Sequence, residues 1–595
     1  MFLPTGNERI SIPMLSAADA GIRDITFLHM QYRGMIDVKG GDDKPLIKPW
    51  LSLDGKAAPL GELCWNRLNW WIPTFNASTS GIVIRGTILS PIGERGFIYR
   101  LSLTNSKSSP ISLSSGLSGS WASCSHRINE DKSIEAKKYV YHSNWNNGIV
   151  FDLKNDITIF SFAPMASHSS NVAYTLNGDS IEYTITCDLT LEPGENQAID
   201  FFWGFGFEEV ASTTSAKEMM RQGYNYELKK TLDWLEKRSH RFKNALLDDI
   251  YNLNLFFNLF FSTGVTLDTE EFVLVTSRSP RYYVSAAYWD RDSLFWSFPS
   301  ILQSDDEYAR MMLEYVFTKQ IRNAGIHSRY IDGTVLEPGF ELDELCAPII
   351  ALHQYITKTN NREYLREPYI QKGICSLLKT LKEKKHPTID LFETFLQPTD
   401  DMHVYRYLTY DNVLVWRSLK YVAELFDGIL DHKMLSEIAH LADCVRNAIR
   451  EHCIKTKQGK RLYAWSVDLD DNFDIYDEPP GSLQLLHFHG FCENEDEVFS
   501  NTVDVIRSSD YAYSFADSKI NETGCPHAPH PWVLSIANSL LYGRIEHCLG
   551  ILSEIKMDNG IACESVDENT GECVTGAAFA TCAGFLSYAI RKAMG

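Results

Sequence analysis

The stretch Ala198–Leu247, AIDFFWGFGFEEVASTTSAKEMMRQGYNYELKKTLDWLEKRSHRFKNALL, is where the chain changes its hydrophobic period. It opens on an apolar, ring-rich run of strand length, Ala198–Phe205. From about residue 215 apolar positions recur at the three- and four-residue spacing of an amphipathic helix. Upstream, residues 1–225 read as β-structure. Short runs at Ile25–Tyr32, Gly81–Leu89, Phe97–Leu103, Ile157–Phe162 and Ile181–Leu189 are punctuated by turns such as Asn177-Gly178-Asp179 and Pro193-Gly194. Alternation is clear in IEYTITCDL (Ile181–Leu189), and an antiparallel β-sandwich is the natural solution. The Ser-rich tract Ser106–Ser120 reads as a loop joined to a polar strand, and residues 216–247 as one charged linker helix.

Downstream the pattern stays helical. Segments are expected at Asp248–Ser262, Asp292–Leu302, Glu307–Asn323, Glu341–Thr357, Asn361–Lys384, Tyr410–Phe426, Leu435–Thr456, Asp496–Ser508, Pro531–Tyr542, Ile545–Ile555 and Gly576–Arg591, with no strands between them. Such a run without a strict repeat points to paired helical hairpins closed into an α/α toroid over residues 240–595, rather than to a solenoid. The fold class expected is therefore α+β in two domains, and 595 residues are too many for one core.

Composition narrows the partners. The formal net charge is −21 with no long Lys/Arg run, which disfavours nucleic acid and anionic membranes. Aromatic residues make up 12%, enough to line a ring-binding pocket as well as a core. The N-terminus shows no secretory pattern, no apolar run is long enough to span a bilayer, and the 13 cysteines form no ligand spacing. A cytosolic protein with reduced thiols is expected, with Cys346, Cys375, Cys444 and Cys582 in apolar helical patterns.

Five stretches of the helical region carry the chemistry. YWDRDS (Tyr288–Ser293) sets Trp289 beside Asp290, Arg291 and Asp292; these can grip sugar hydroxyls, or serve as a surface pair and a helix cap. EPGFELDELC (Glu337–Cys346) crowds Glu341, Asp343 and Glu344 more densely than capping requires. In FETFLQPTDDMHVY (Phe392–Tyr405) the adjacent Asp400 and Asp401 precede an aromatic-rich helix, and such neighbours raise each other's pKa where water is scarce. NETGCPHAPHPW (Asn521–Trp532) offers His527, His530 and Trp532 as a rigid pocket wall, with too few ligands for a metal. GIACESVDENTGECVTGAAF (Gly560–Phe579) places Glu564 on a loop before a small-residue helix.

WDRDS, ELDELC, QPTDD and GCPHAPHPW, in that order, resemble the motifs of metal-independent exo-α-mannosidases, inverting glycoside hydrolases on a six-hairpin toroid. The terminal ESVDENTG is similar to the base motif of glucoamylases and processing α-glucosidases on the same toroid. The resemblance spans roughly residues 240–595, and the β-domain is similar to the sandwich that precedes the toroid in such families. It implies hydrolysis of a terminal α-mannoside or α-glucoside with inversion, Asp400 as general acid, Glu564 as general base, and sugar contacts from the WDRDS and ELDE carboxylates. It implies neither metal nor cofactor, since two carboxylates suffice for an acetal. Gln397-Pro398-Thr399 stands where mannosidase relatives carry Arg-Pro-Ser, and glucoamylase relatives use a Glu as acid, which keeps Glu393 as an alternative. A phosphorylase on the same toroid would need a cationic pocket; a non-catalytic carbohydrate-binding protein could lose both carboxylates.

Overall fold

In the computed structural model, which describes residues 1–41 and 44–595, the chain divides into two compact units. One comprises Met1–Ser239, Leu259–Val273 and Ser277–Ala286; the other comprises His240–Asn258, Leu274–Thr276 and Ala287–Gly595.

The first unit is an antiparallel sandwich. An eight-stranded sheet runs, edge to edge, Lys137–Ser143, Gly148–Lys154, Thr158–Ala166, Asn196–Gly206, Gly96–Asn105, Ile82–Leu89, Ile72–Thr79 and Cys64–Leu68. Facing it are a six-stranded sheet, which includes Asp24–His29 and Gly34–Lys39, and a five-stranded sheet, which includes Ser180–Leu191 and Ile111–Trp121. Rings from opposing sheets interlock: Phe27 meets Phe160 edge-on at 5.1 Å, Trp121 meets Phe162 at 5.2 Å, and Tyr183 meets Trp203 at 5.8 Å. Strict inward–outward alternation along Ser180–Leu191 follows the strand period read from IEYTITCDL.

Of three local expectations, one holds and two are corrected. The Ser-rich tract joins a loop to a strand as read, and that strand, Ile111–Trp121, is eleven residues long and paired on both sides. Its glycines are needed there: a Cβ on Gly116 or Gly119 would come within 1.9 Å of the Ile185 or Leu46 carbonyl oxygen. The linker helix is two helices, Glu209–Gln222 and Tyr224–Arg238, broken at Gly223, whose φ is +82°. The helical region also has small strands. One ribbon pairs Ile326–Arg329 with Val335–Phe340, and another pairs Ser565–Val566 with Cys573–Thr575.

The helical unit closes on itself. Its inner ring passes from Arg291–Ser304 to Leu342–Thr359, Thr409–Leu425, the short turn Leu483–Leu486, Val533–Tyr542 and Ala580–Met594, which packs back on Arg291–Ser304. Outer helices such as Asp306–Thr318, Pro368–Glu383, His432–Ala448 and Ile545–Leu552 lie against it. The two layers differ in sequence. Leu342–Leu352 is buried at every position, whereas Pro368–Glu383 buries one stripe through Ile370, Ile374, Leu377, Leu378 and Leu381. Arg291–Ser297, expected as ordinary helix, is a π-helical turn, a form found often at functional sites. The cysteines are unpaired as thiols; Cys375 is exposed and Cys444 half-buried, so only Cys346 and Cys582 of the four expected in the core are buried.

Candidate active site

Each motif enters at the N-terminal end of an inner-ring element. Residues 289–292 begin the first and 341–344 the second; residues 397–401 precede the third, 527–532 the fifth and 564 the sixth. Parallel inner elements thus bring loops distant in sequence to one end of the ring, where helix dipoles favour negative charge.

Arg291 is the hub. Its Nε donates to Asp343 Oδ2 at 2.7 Å, one Nη donates to Asp400 Oδ1 at 2.8 Å, and the other donates to Glu341. Its backbone N–H, with that of Asp290, donates to the Glu344 carboxylate at 3.0 and 2.5 Å. Four carboxyls therefore crowd one fully buried guanidinium. Burial pushes Asp343 and Glu344 up, and Arg291 only partly offsets this. Burial likewise pushes Asp292 up to about 7, while its Oδ1 accepts from Thr581 at 2.9 Å.

Asp400 stands at the open side of the cluster with its side chain 37% exposed. Close packing around the carboxyl and the charge of Glu341 raise its pKa well above the carboxylate range, against Arg291 and His327. Oδ1 takes the Arg291 bond, which leaves Oδ2 to carry a proton. The expected cause was Asp401; that residue instead faces His527, 3.0 Å from its Nδ1. The other nitrogen of His527 lies 3.9 Å from Glu564, so one imidazole joins the two loops. Glu564 is 3% exposed. Its helix begins at Ala580, later than expected, and the intervening residues form the Ser565–Thr575 ribbon.

Several other expected residues do different work. Asp290 is fully buried; it accepts from the Tyr288 hydroxyl at 2.6 Å and from Arg329. Asp290 and Glu344 thus accept from protein donors on both oxygens. Trp289 is buried, edge-on to His327 at 5.6 Å. Trp532 is buried and donates to the Ala528 carbonyl, and His530 pairs with Glu568 at 2.9 Å. Glu393 is paired with Arg406 at 3.2 Å and is not part of the Arg291 cluster. The stretch 401–406 is irregular, and the helix expected from Tyr410 starts at Thr409.

Sequence reasoning missed His327, Arg329 and Glu478. His327 Nδ1 lies 2.5 Å from Glu341 and 3.6 Å from Asp400, and these acids raise its pKa despite burial. Glu478 is fully buried and accepts from the Thr399 N–H and hydroxyl, each at 2.9 Å. No motif flagged them, because single residues on a short strand or a Pro-rich turn show no periodicity. Among the described residues, His327, Glu341 and Asp400 offer ligand atoms within 4.8 Å of one another. Arg291 bonds both carboxylates, so a metal ion there would have to displace it.

Residues 389–590 match the family model for metal-independent alpha-mannosidase (GH125). That span holds Asp400 and Glu564 and begins after the WDRDS and ELDE stretches. A bacterial glucoamylase complexed with acarbose has a similar structure, with a TM-score of 0.67 and 14% identity over 100% of this chain and 93% of that one. A putative kojibiose phosphorylase from human microbiome gives 0.59 and 10% over 98% and 86%. A Streptococcus pneumoniae metal-independent alpha mannosidase, in a non-productive complex with alpha-1,6-mannobiose, gives 0.53 and 17% over 64% and 98%. No curated protein sequence matches the chain. The architecture is that of the six-hairpin glycosidase-like proteins, an antiparallel β-domain followed by an α/α toroid. No described helix is long and apolar enough to cross a membrane.

Proposed function

We propose that the protein is a glycoside hydrolase that removes a terminal sugar, an α-mannoside or α-glucoside, with inversion. The observation that carries this reading is geometric: Asp400, held by Arg291, stands at the open side of the carboxyl cluster, and a second carboxylate, Glu564, comes from another loop joined to the first through His527; the raised pKa of Asp400 suits it as the acid. Asp400 Oδ2 gives its proton to the glycosidic oxygen as the bond to the anomeric carbon breaks. Arg291 and His327 then face the charge left on Asp400. Glu564 takes a proton from a water that attacks the opposite face of the sugar. Inversion requires the two carboxyls roughly 6.5–9.5 Å apart so that this water fits.

The phosphorylase-like neighbour supports a second reading, in which phosphate replaces water. A phosphate dianion needs cations, and Arg291, Arg329 and His327 are each already bonded to carboxylates. That favours a neutral sugar and water. A screen of aryl glycosides, α-mannoside and α-glucoside first, in buffers with and without phosphate, tests the proposal. Phosphate-independent release from either supports it; release that requires phosphate, or none from any aryl glycoside, contradicts it.

A further inference from the structure

The loop that carries Asp400 is held in an unusual shape. Asp400 has φ +67°, a left-handed conformation that costs a non-glycine residue energy and persists only where the surroundings enforce it. Its N–H donates to the Gln397 carbonyl at 2.8 Å, and the Gln397 N–H donates to the Asp401 carbonyl at 2.9 Å. This small turn needs an outside anchor, and the turn Glu478–Gly481 supplies one. Glu478 Oε1 accepts from the backbone N–H of Thr399, and Oε2 accepts from the Thr399 hydroxyl and, at 3.1 Å, from Tyr476. Gly481 lies against Pro398 so closely that a Cβ there would fall 2.6 Å from the proline ring. Trp465 adds a third tie by donating to Gln397 Oε1 at 3.2 Å.

We infer that Glu478 and Gly481 are positioning residues for the general acid: they set the backbone of Pro398–Thr399 and, through it, aim Asp400 at the leaving oxygen. The inference rests on the reading of Asp400 as that acid. A carboxyl that reaches Thr399 on two oxygens fixes both position and rotation of the peptide before Asp400, which a single bond would not. Gly481 fixes the distance from the other side. Neither residue needs to touch substrate, so loss of either should fall on the step that requires protonation.

The test compares a disaccharide with a nitrophenyl glycoside of the same sugar, whose leaving group needs little protonation. Glu478→Ala should lower kcat on the disaccharide roughly 10²-fold, as small misplacement of a reacting group does. The loss on the nitrophenyl substrate should be less than about 10-fold, with KM little changed. Glu478→Gln, which can accept from the Thr399 N–H and donate to its hydroxyl, should recover most of the disaccharide rate. If the alanine variant does not fold, Gly481→Ala gives the same reading, because it displaces Pro398; it too should show a loss selective for the disaccharide. Equal losses on both substrates, or a change in KM alone, would overturn the inference. Asp400→Asn is measured in parallel. If it lacks leaving-group selectivity, the assignment of the acid fails and this inference with it; if it shows selectivity and the Glu478 and Gly481 variants do not, only the inference fails.

Discussion

Each unit of this protein gathers carboxylates around a cation, and the two clusters are built differently. In the sandwich, Lys39 lies 3.0 Å from both Asp37 and Asp131, with Asp24 opposite it on the neighbouring strand. The hairpin that carries Lys39 supplies Asp24 and Asp37, and Asp131 comes from a strand of the same sheet 92 residues on. In the toroid, Arg291 gathers Glu341, Asp343 and Asp400 from 50, 52 and 109 residues away in sequence. Both clusters hold raised carboxyls: burial pushes Asp24 up to about 6 and Asp37 up to about 8. A raised pKa therefore does not by itself mark chemistry. What separates the two is a partly open acid, Asp400, whose neighbour Asp401 meets a histidine that also approaches a second carboxylate, Glu564, on another loop.

The comparison breaks first at Glu564. Glu564→Gln should cut turnover by roughly 10²–10⁴-fold with the fold intact. Asp37→Asn, an equally conservative change in the other cluster, should leave kcat unchanged. Steady-state rates on the best aryl glycoside check both, and near-normal turnover in the Glu564 variant would remove it from the mechanism. Asp400→Asn comes next: it should lose most activity on a disaccharide and much less on a nitrophenyl glycoside.

Two stability measurements sharpen the contrast. Asp290→Ala leaves Arg329 buried without its main carboxylate, and breaking such a pair costs about 3–5 kcal/mol, so its melting temperature should drop sharply. An unchanged melting temperature with weaker sugar binding would return Asp290 to the substrate. The second measurement concerns pH. Desolvation and the charge of Asp24 hold the folded-state pKa of Asp37 near 8, above its ordinary 3.8, despite Lys39. The native state then binds more protons than the unfolded chain between those values, so this contribution to stability is lost as pH rises from about 4 through 8. Thermal melts from pH 5 to 8 should fall more steeply for the wild type than for Asp37→Asn; parallel curves would contradict this.

The two regions also differ in how much of them the sequence shows. Strands such as Ser180–Leu191 and inner helices such as Leu342–Thr359 are legible because one hydrophobic period decides them. Ile111–Trp121 is legible only in outline, as a polar strand after a loop, because the serines and glycines that close strand packing requires carry little hydrophobic period. At the site, motif residues identify the loops that meet but not what each side chain does there. The sequence does not show that Asp290 accepts from Arg329, or that Glu344 accepts from two backbone amides. Glu478 lies 79 residues from Thr399, and nothing in its neighbourhood of sequence announces that bond.

The most direct test of the central claim is the configuration of the first-formed sugar. Proton NMR during early turnover of an α-glycoside, before mutarotation, should show the β-anomer appear first, with or without phosphate, because Asp400 protonates one side while Glu564 activates water on the other. An α-anomer formed first, or a sugar 1-phosphate in its place, would contradict the account.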